Sequence, residues 1–374
     1  MQLTIWQKRQ TTLLYHFMSR DYLLGLLQLL NDLIGDADGL LDTAQVQRRD
    51  AIIADPRWGI RDTSTNWSTY AFPALLDFRQ STVEDIALRD QDRYGFTGAN
   101  QCVNMLREHS TRWMTEDEEA AFKVQFDKIY LYASEIDDVA MRQIRDYDAY
   151  VTWTQNAHLF PRLPKFTVHT DIVGESGQLP PKTGVYVPQD DPYGTLQFAW
   201  TTDSDGQLRP AKTLTPLALE AVNALGRDKV WAAVSQDPAA QADGKVADFR
   251  RLALKQGRLT HLGPYKPEDA KRPGSAAGML PFSAFVDRPC RWYYVEKIEG
   301  EYEDPAETTT AQVTAETRLR VEANHPCPQT GWWMTPAKAG SRRYFNEGEI
   351  MPSLGGDYGL TIWQWDVDQS APKL

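Results

Sequence analysis

The chain has 374 residues, of which 42% are hydrophobic and 24% charged, and it carries a net charge of −11. These values are ordinary for a soluble globular protein and leave room for two or three domains with sizeable cores. The acidic balance argues against a general nucleic-acid binder, which presents a basic surface, and suits docking onto a basic partner.

Lys8, Arg9, Arg20 and Asp21 interrupt the apolar N-terminal run. Neither a signal-peptide core nor a membrane span is expected from it, and the expected location is cytoplasmic. Leu13, Leu14, Phe17, Leu23, Leu24, Leu27, Leu30 and Ile34 predict one helix or a pair broken near Ser19–Asp21, closed by Gly35. A second helix is predicted over Thr43–Ala54, ended by Pro56. Asn66–Phe78 is ambiguous between states. Ser81–Tyr94 reads as a helix opened by Ser81 with Glu84 and stopped by Gly95. The clearest helix runs from about Glu116 to Val151. Thr115 and Glu118 form its capping box, and Phe122, Phe126, Ile129, Ala133, Ile136, Ala140 and Ile144 make a continuous apolar seam. Residues 1–160 therefore read as a helical bundle domain.

Composition changes at Pro161, where Pro161, Pro164, Pro180 and Pro181 stop helices. Residues 161–374 are expected to be β-rich, an SH3-like meander interrupted by a helical insertion at about 215–257. Thr215 caps that insertion with Pro216 in its first turn, and Val246–Gln256 supplies a second amphipathic helix. Gly263–Gly278 reads as a flexible loop. Strands follow over Arg291–Ile298 and Thr317–Val321, joined by the acidic segment Glu299–Thr310. The fold class is α+β.

The last aromatic stretch, Cys327–Trp365, reads CPQTGWWMTPAKAGSRRYFNEGEIMPSLGGDYGLTIWQW and holds four of the twelve tryptophans. Short runs alternating at period two between Gly and Pro breaks predict an antiparallel meander with an aromatic core. A fainter copy stands 147 residues earlier, where Pro181–Trp200 reads PKTGVYVPQDDPYGTLQFAW. Each copy places Thr-Gly ahead of a strand, at Thr183–Gly184 and Thr330–Gly331, as a turn with positive φ at the glycine would require. Two related β-modules, or the same turn chemistry used twice by chance, both account for the pattern. Trp332 and Trp333 are adjacent on a strand and point to opposite faces, so a sheet covered on one side buries one of them. Thr183, Gly184, Thr330, Gly331, Trp332, Trp333, Trp363 and Trp365 are read as structural markers.

Six histidines occur without a HExxH arrangement or metal spacing, and the sequence has no GxSxG elbow, Walker loop or dinucleotide fingerprint. Gly355–Gly359 reads as a hairpin turn. No catalytic residue, metal or cofactor is expected. Cys102, Cys290 and Cys327 are too few for a disulfide framework, although a single Cys290–Cys327 bridge stays open. A basic partner would meet the concentrated acids, for which Asp190, Asp191, Glu299, Glu301, Glu303 and Asp304 are the candidates.

The Cys327–Trp365 run resembles the C-terminal signature of bacterial immunity proteins from polymorphic-toxin and type VI secretion systems. The Pro181–Trp200 run with its TPLALEAV helix is similar to a segment of the same group. The resemblance covers about the last 200 residues, and the first 160 in layout. It implies a non-catalytic protein that neutralises a cognate secreted toxin by binding it, with a cytoplasm-acting enzyme such as a nuclease as one fitting target. A carbohydrate- or peptidoglycan-binding module is the alternative, and a hydrolase built on a carboxylate pair is the third. Neither nucleic acid nor membrane is an expected partner.

Overall fold

A computed structural model describes residues 1–53, 59–141, 144–232, 284–303, 320–335, 341–354 and 361–366. The fold is α+β, with helices in the N-terminal part and antiparallel sheets after them. The chain divides into two compact units, Met1–Glu301 and Tyr302–Leu374. The boundary expected near residue 160 falls inside the first unit.

The first unit begins with α1 (Ile5–Phe17) and α2 (Arg20–Val46). Ser19 separates them by accepting a hydrogen bond from Tyr22 N at 3.2 Å, which caps α2. Helix α2 runs through Gly35, the expected stop, because Leu26, Leu30, Leu33 and Ala37 form a fully buried seam. The expected Thr43 helix is the last turn of α2 plus the short α3 (Arg49–Ile53). After α4 (Ser64–Tyr70), α5 (Phe72–Arg89) starts before Ser81, whose hydroxyl donates to Phe78 O within the helix. Next come α6 (Ala99–Arg107) and α7 (Glu116–Met141), whose start carries the expected capping box. Thr115 N lies 2.8 Å from Glu118 and Glu118 N 3.3 Å from Thr115 Oγ1.

The long helix expected to reach Val151 ends at Met141 and resumes as α8 (Asp146–Asn156). The break serves Asp146, which is fully buried. Its carboxylate accepts the Trp6 indole N–H, Gln10 Nε2 at 3.0 Å and Trp231 Nε1 at 2.7 Å, and Arg227 Nε is 2.9 Å away. A straight helix would turn this acid away from partners that come from two other helices, one at the start of the chain and one more than 80 residues later. Arg227 and Trp231 belong to α10 (Arg227–Ala232), which follows α9 (Pro216–Leu225). Thr215 caps α9 as expected, by accepting from Ala218 N. The predicted Val246–Gln256 helix and Gly263–Gly278 loop lie outside the described residues.

The sheet of the first unit is built from β1 (Leu163–Glu175), β2 (Gly184–Pro188), β3 (Gln197–Ala199) and a late strand, β6 (Arg291–Glu303). Between them β4 (Ala211–Leu214) and β5 (Phe285–Arg288) form a separate antiparallel pair. The spatial order is β1-β6-β2-β3. One face packs on the bundle through Val185, Val187, Phe198 and Val295; the other buries Tyr186, Ala199, Trp292 and Tyr294.

The second unit contains β7 (Arg320–Glu322), β8 (Gly331–Met334), β9 (Arg343–Phe345) and β10 (Ile362–Trp365), in the order β7-β10-β8-β9. Both sheets thus follow the sequence first, fourth, second, third among the described residues. The match extends to individual bonds. Gly184 pairs with Ala199 as Gly331 pairs with Phe345, and both glycines have positive φ, 146° and 157°. Tyr186 OH donates to Lys182 O at 2.5 Å, and the Trp333 indole donates to Gln329 O at 3.1 Å. Thr201 N donates to Thr183 Oγ1 at 3.1 Å, and Glu347 N to Thr330 Oγ1 at 2.8 Å. Gly177 and Asn324, both left-handed, bond to Leu208 O and Met351 O. Ser176 N to Cys290 O repeats as Ala323 N to Thr361 O. The faint sequence repeat is a duplicated four-stranded module.

Within the second unit, Trp333 and Trp363 are fully buried with Phe345, Met351 and Cys327. Trp365 lies edge-on to Trp333 with ring centroids 5.3 Å apart, as Tyr294 does to Tyr186 at 5.7 Å. The three cysteines are free thiols. Gly355–Gly359 lies outside the described residues.

Candidate functional site

Two surfaces hold residues singled out in the sequence. The first is a cleft of about 450 Å³ in the first unit, between α1, the end of α5 and strands β2 and β6. Thr183, Gly184 and Glu299 all line it, together with Tyr15, Tyr94 and Arg89, which the sequence had not marked.

Local backbone chemistry sets this cleft. Asp92 adopts φ 57°, and its carboxylate accepts the Thr183 hydroxyl at 2.5 Å while its carbonyl accepts that of Thr202 at 3.0 Å. The same Thr183 oxygen takes the Thr201 amide, so the hydroxyl pins two loops together. Thr330 repeats the amide contact in the second unit, which marks the Thr-Gly pair as a turn device. Arg89 lies over the Tyr94 ring, 4.3 Å from its centroid. Burial lowers the pKa of Arg89, with Tyr94 and Asp85 opposing the shift. Burial and the nearby Asp92 push the Tyr94 hydroxyl up to about 12, against the pull of Arg89.

On the opposite wall, Glu296 lies 2.9 Å from His169 Nε2 and 3.2 Å from Lys182 Nζ, and these bonds hold its carboxyl below the usual range. Arg20 pairs with Asp90 at 3.4 Å and Lys297 with Glu299 at 3.5 Å. These ions are matched to one another, whereas Arg89 lies against the Tyr94 ring and the Asp92 carboxylate takes the Thr183 hydroxyl. The lining offers hydroxyls and paired ions, a surface suited to a polar protein segment.

The second surface is the side of the second sheet opposite its core. Trp332, Met334 and Tyr344 share it, with Met334 40% and Tyr344 52% exposed and Trp332 half-buried. Trp332 and Tyr344 meet edge-on at 5.4 Å. Arg342 lies 4.4 Å from the Trp332 ring centroid and 2.5 Å from Asp366. Adjacent Trp332 and Trp333 divide between the two faces, as their strand spacing requires.

The acidic candidates do not form one patch. Asp190 is exposed just past the end of β2, where Pro188 pairs with Trp292. Glu299 and Glu301 stand at the other end of β6, about 23 and 30 Å from Trp292 at strand rise. Asp191 is buried and accepts from Tyr193 N at 2.9 Å and from the Thr213 hydroxyl, with Arg288 at 3.5 Å. It is a turn anchor and not a surface charge. Glu301 pairs with Lys165 at 3.2 Å, Glu303 is half-exposed at the end of β6, and Asp304 lies outside the described residues.

Tyr344 and Met334 went unmarked in the sequence although the signal was present. Tyr344–Phe345 is an adjacent aromatic pair on a strand, so it divides between faces as Trp332–Trp333 does. Among the described residues no group of three or more His, Cys, Asp or Glu side chains is placed to hold a metal ion, and no helix is long and apolar enough to cross a membrane. Comparison of the chain with protein-family models, with curated proteins and with solved structures finds no match.

Proposed function

We propose that this is an immunity protein that neutralises a cognate secreted toxin by binding it in the cytoplasm, without catalysis. The resemblance of the Cys327–Trp365 and Pro181–Trp200 runs supplies the toxin. The observation that carries a binding role is the outward side of the second sheet, where Trp332, Met334 and Tyr344 lie beside Arg342. Trp, Tyr, Met and Arg are the residue types enriched at the centres of protein interfaces. The acids Asp190, Glu299 and Glu301 would steer a basic toxin, such as a nuclease with a cationic cleft.

The test is co-expression with the toxin encoded beside this gene, scored as colony survival, together with size-exclusion of the mixed purified proteins. Protection and a stable complex are expected, both lost on Tyr344→Asp in a chain that keeps its wild-type circular dichroism. Unprotected cells and separate elution of the two proteins would refute the proposal. Saccharide binding lost on Trp332→Ala would instead favour a carbohydrate-binding module.

A further inference from the structure

The duplicated module shows what its outward face is shaped to hold. In the first unit that face is the one under α1. Tyr15 alone reaches all four strands: its ring stacks on Phe166 of β1 and meets Phe198 of β3 edge-on, and its hydroxyl donates to Val295 O of β6 and accepts from Val185 N of β2. Val185, Val187, Phe198 and Val295 are all buried there. Register places Trp332, Met334, Tyr344 and Asp366 at the corresponding positions of the second sheet, since Trp333 faces Trp365 where Tyr186 faces Tyr294.

The two faces differ in what covers them. The first lies under a helix. On the second, Met334 and Tyr344 keep 40% and 52% of their surface in solvent, although methionine is larger than the valine at the equivalent position and tyrosine carries the same ring as the equivalent phenylalanine. Four strands at ~4.8 Å spacing are about 14 Å across, which three turns of helix span. Charge adds a second constraint. Glu347 and Glu349 are exposed in the turn after β9, and the chain as a whole carries −11.

We infer that the outward face of the second sheet is a docking seat for an amphipathic helix of a partner protein, with an apolar stripe on the Trp332–Met334–Tyr344 surface and basic residues toward Glu347 and Glu349. This is helix recognition by apolar anchors spaced i, i+3 or i+4, and i+7. It rests on the equivalence of the two modules and holds whether or not the partner is a toxin.

A phage-displayed library of random peptides, each about 18 residues and thus ~27 Å long when helical, tests the seat against the full-length protein. Recovered peptides are expected to share the helical apolar spacing with Lys or Arg flanks and to become helical on binding. Their affinity is expected to fall roughly tenfold or more on Tyr344→Ala and on Met334→Ala. Leu131→Ala, at an exposed leucine of α7, is expected to leave it unchanged. Both test residues are exposed, so folding is checked by circular dichroism and is expected to be intact. Recovery of extended peptides, binding indifferent to Tyr344→Ala, no enrichment, or Tyr344-dependent self-association in light scattering would each overturn the proposal. The last outcome would make a second copy of the chain the occupant.

Discussion

The phenolic oxygen of Tyr15 lies 2.5 Å from the carbonyl oxygen of Val295, joining the first helix to a strand 280 residues later. Burial raises the pKa of this hydroxyl well above its ordinary value, so it stays a donor at any physiological pH. Tyr15→Phe keeps the ring stacked on Phe166 and deletes the bonds to Val295 and Val185. Urea denaturation is expected to show a loss of about 1–2 kcal/mol, the cost of a buried carbonyl left without its donor.

Asp146 should be far more sensitive. It is fully buried and neutralised by Arg227, so Asp146→Ala strands a guanidinium among Trp6, Tyr193 and Trp231. A destabilisation of about 3–5 kcal/mol is expected in chemical denaturation. Trp231→Phe removes one donor and some ring volume but leaves the ion pair, and should cost distinctly less.

Stability should fall as pH rises toward neutrality. Burial, reinforced by Asp138, raises the Glu135 carboxyl to about 7. Burial raises Asp85 to about 6, with Arg89 opposing and Asp137 and Glu84 adding to the shift. Below about pH 4 both groups are protonated in folded and unfolded chains, and there is no penalty. Between about pH 4 and 7 the unfolded chain releases protons that the folded chain retains, so the unfolded state gains. A declining Tm across this window is expected, flattened by Glu135→Gln. Glu118, held at about 2 by Arg49, acts in the opposite sense and in a lower window, its contribution fading as pH falls from about 4.5 to 2.

Gly184 and Gly177 separate strain from crowding. A Cβ at Gly184, where φ is 146°, would lie 2.7 Å from the Tyr294 ring and 2.9 Å from the Tyr15 oxygen. Gly177 has φ 87° with open space around it. Gly177→Ala is expected to cost about 1 kcal/mol in backbone strain alone. Gly184→Ala should cost about 2–4 kcal/mol and should weaken the Tyr15–Val295 bond as well, measured against Tyr15→Phe in a double-mutant cycle.

Local signals carried much of the fold. Thr115 and Glu118, Thr215 and Pro216, and the Thr-Gly pairs do in space what their spacing announces. What escaped is long-range. Gly35 looked like a stop because a glycine is a good C-cap, yet the buried leucine seam of α2 overrides that preference. The seam through Ile144 looked continuous because periodicity cannot register that Asp146 must meet Trp6 and Arg227. Asp191 looked like a surface acid because its partners, Thr213 and Arg288, lie 22 and 97 positions away. Less of the candidate site was legible: the sequence reads Trp332 and Trp333 as structural markers and assigns partner binding to the acidic segments. Alternation along each strand divides Trp332–Trp333 and Tyr344–Phe345 between faces, but only the pairing of β8 with β9 brings Trp332, Met334 and Tyr344 together.

The late position of β6 has a consequence for biosynthesis. This strand sits between β1 and β2 yet begins at Arg291, whereas β2 ends at Pro188. At ordinary elongation rates β6 leaves the ribosome about 5–20 s after β2. During that interval β1 and β2 have no strand between them, Val185 lacks its Val295 partner, and Tyr15 has no carbonyl to bond. The nascent first unit therefore waits with a sticky, half-assembled sheet, exposed to chaperones and proteases, and a chain truncated before Arg291 stays in that state. The second module gathers its four strands from one short stretch, Arg320–Trp365, and closes as soon as it is made.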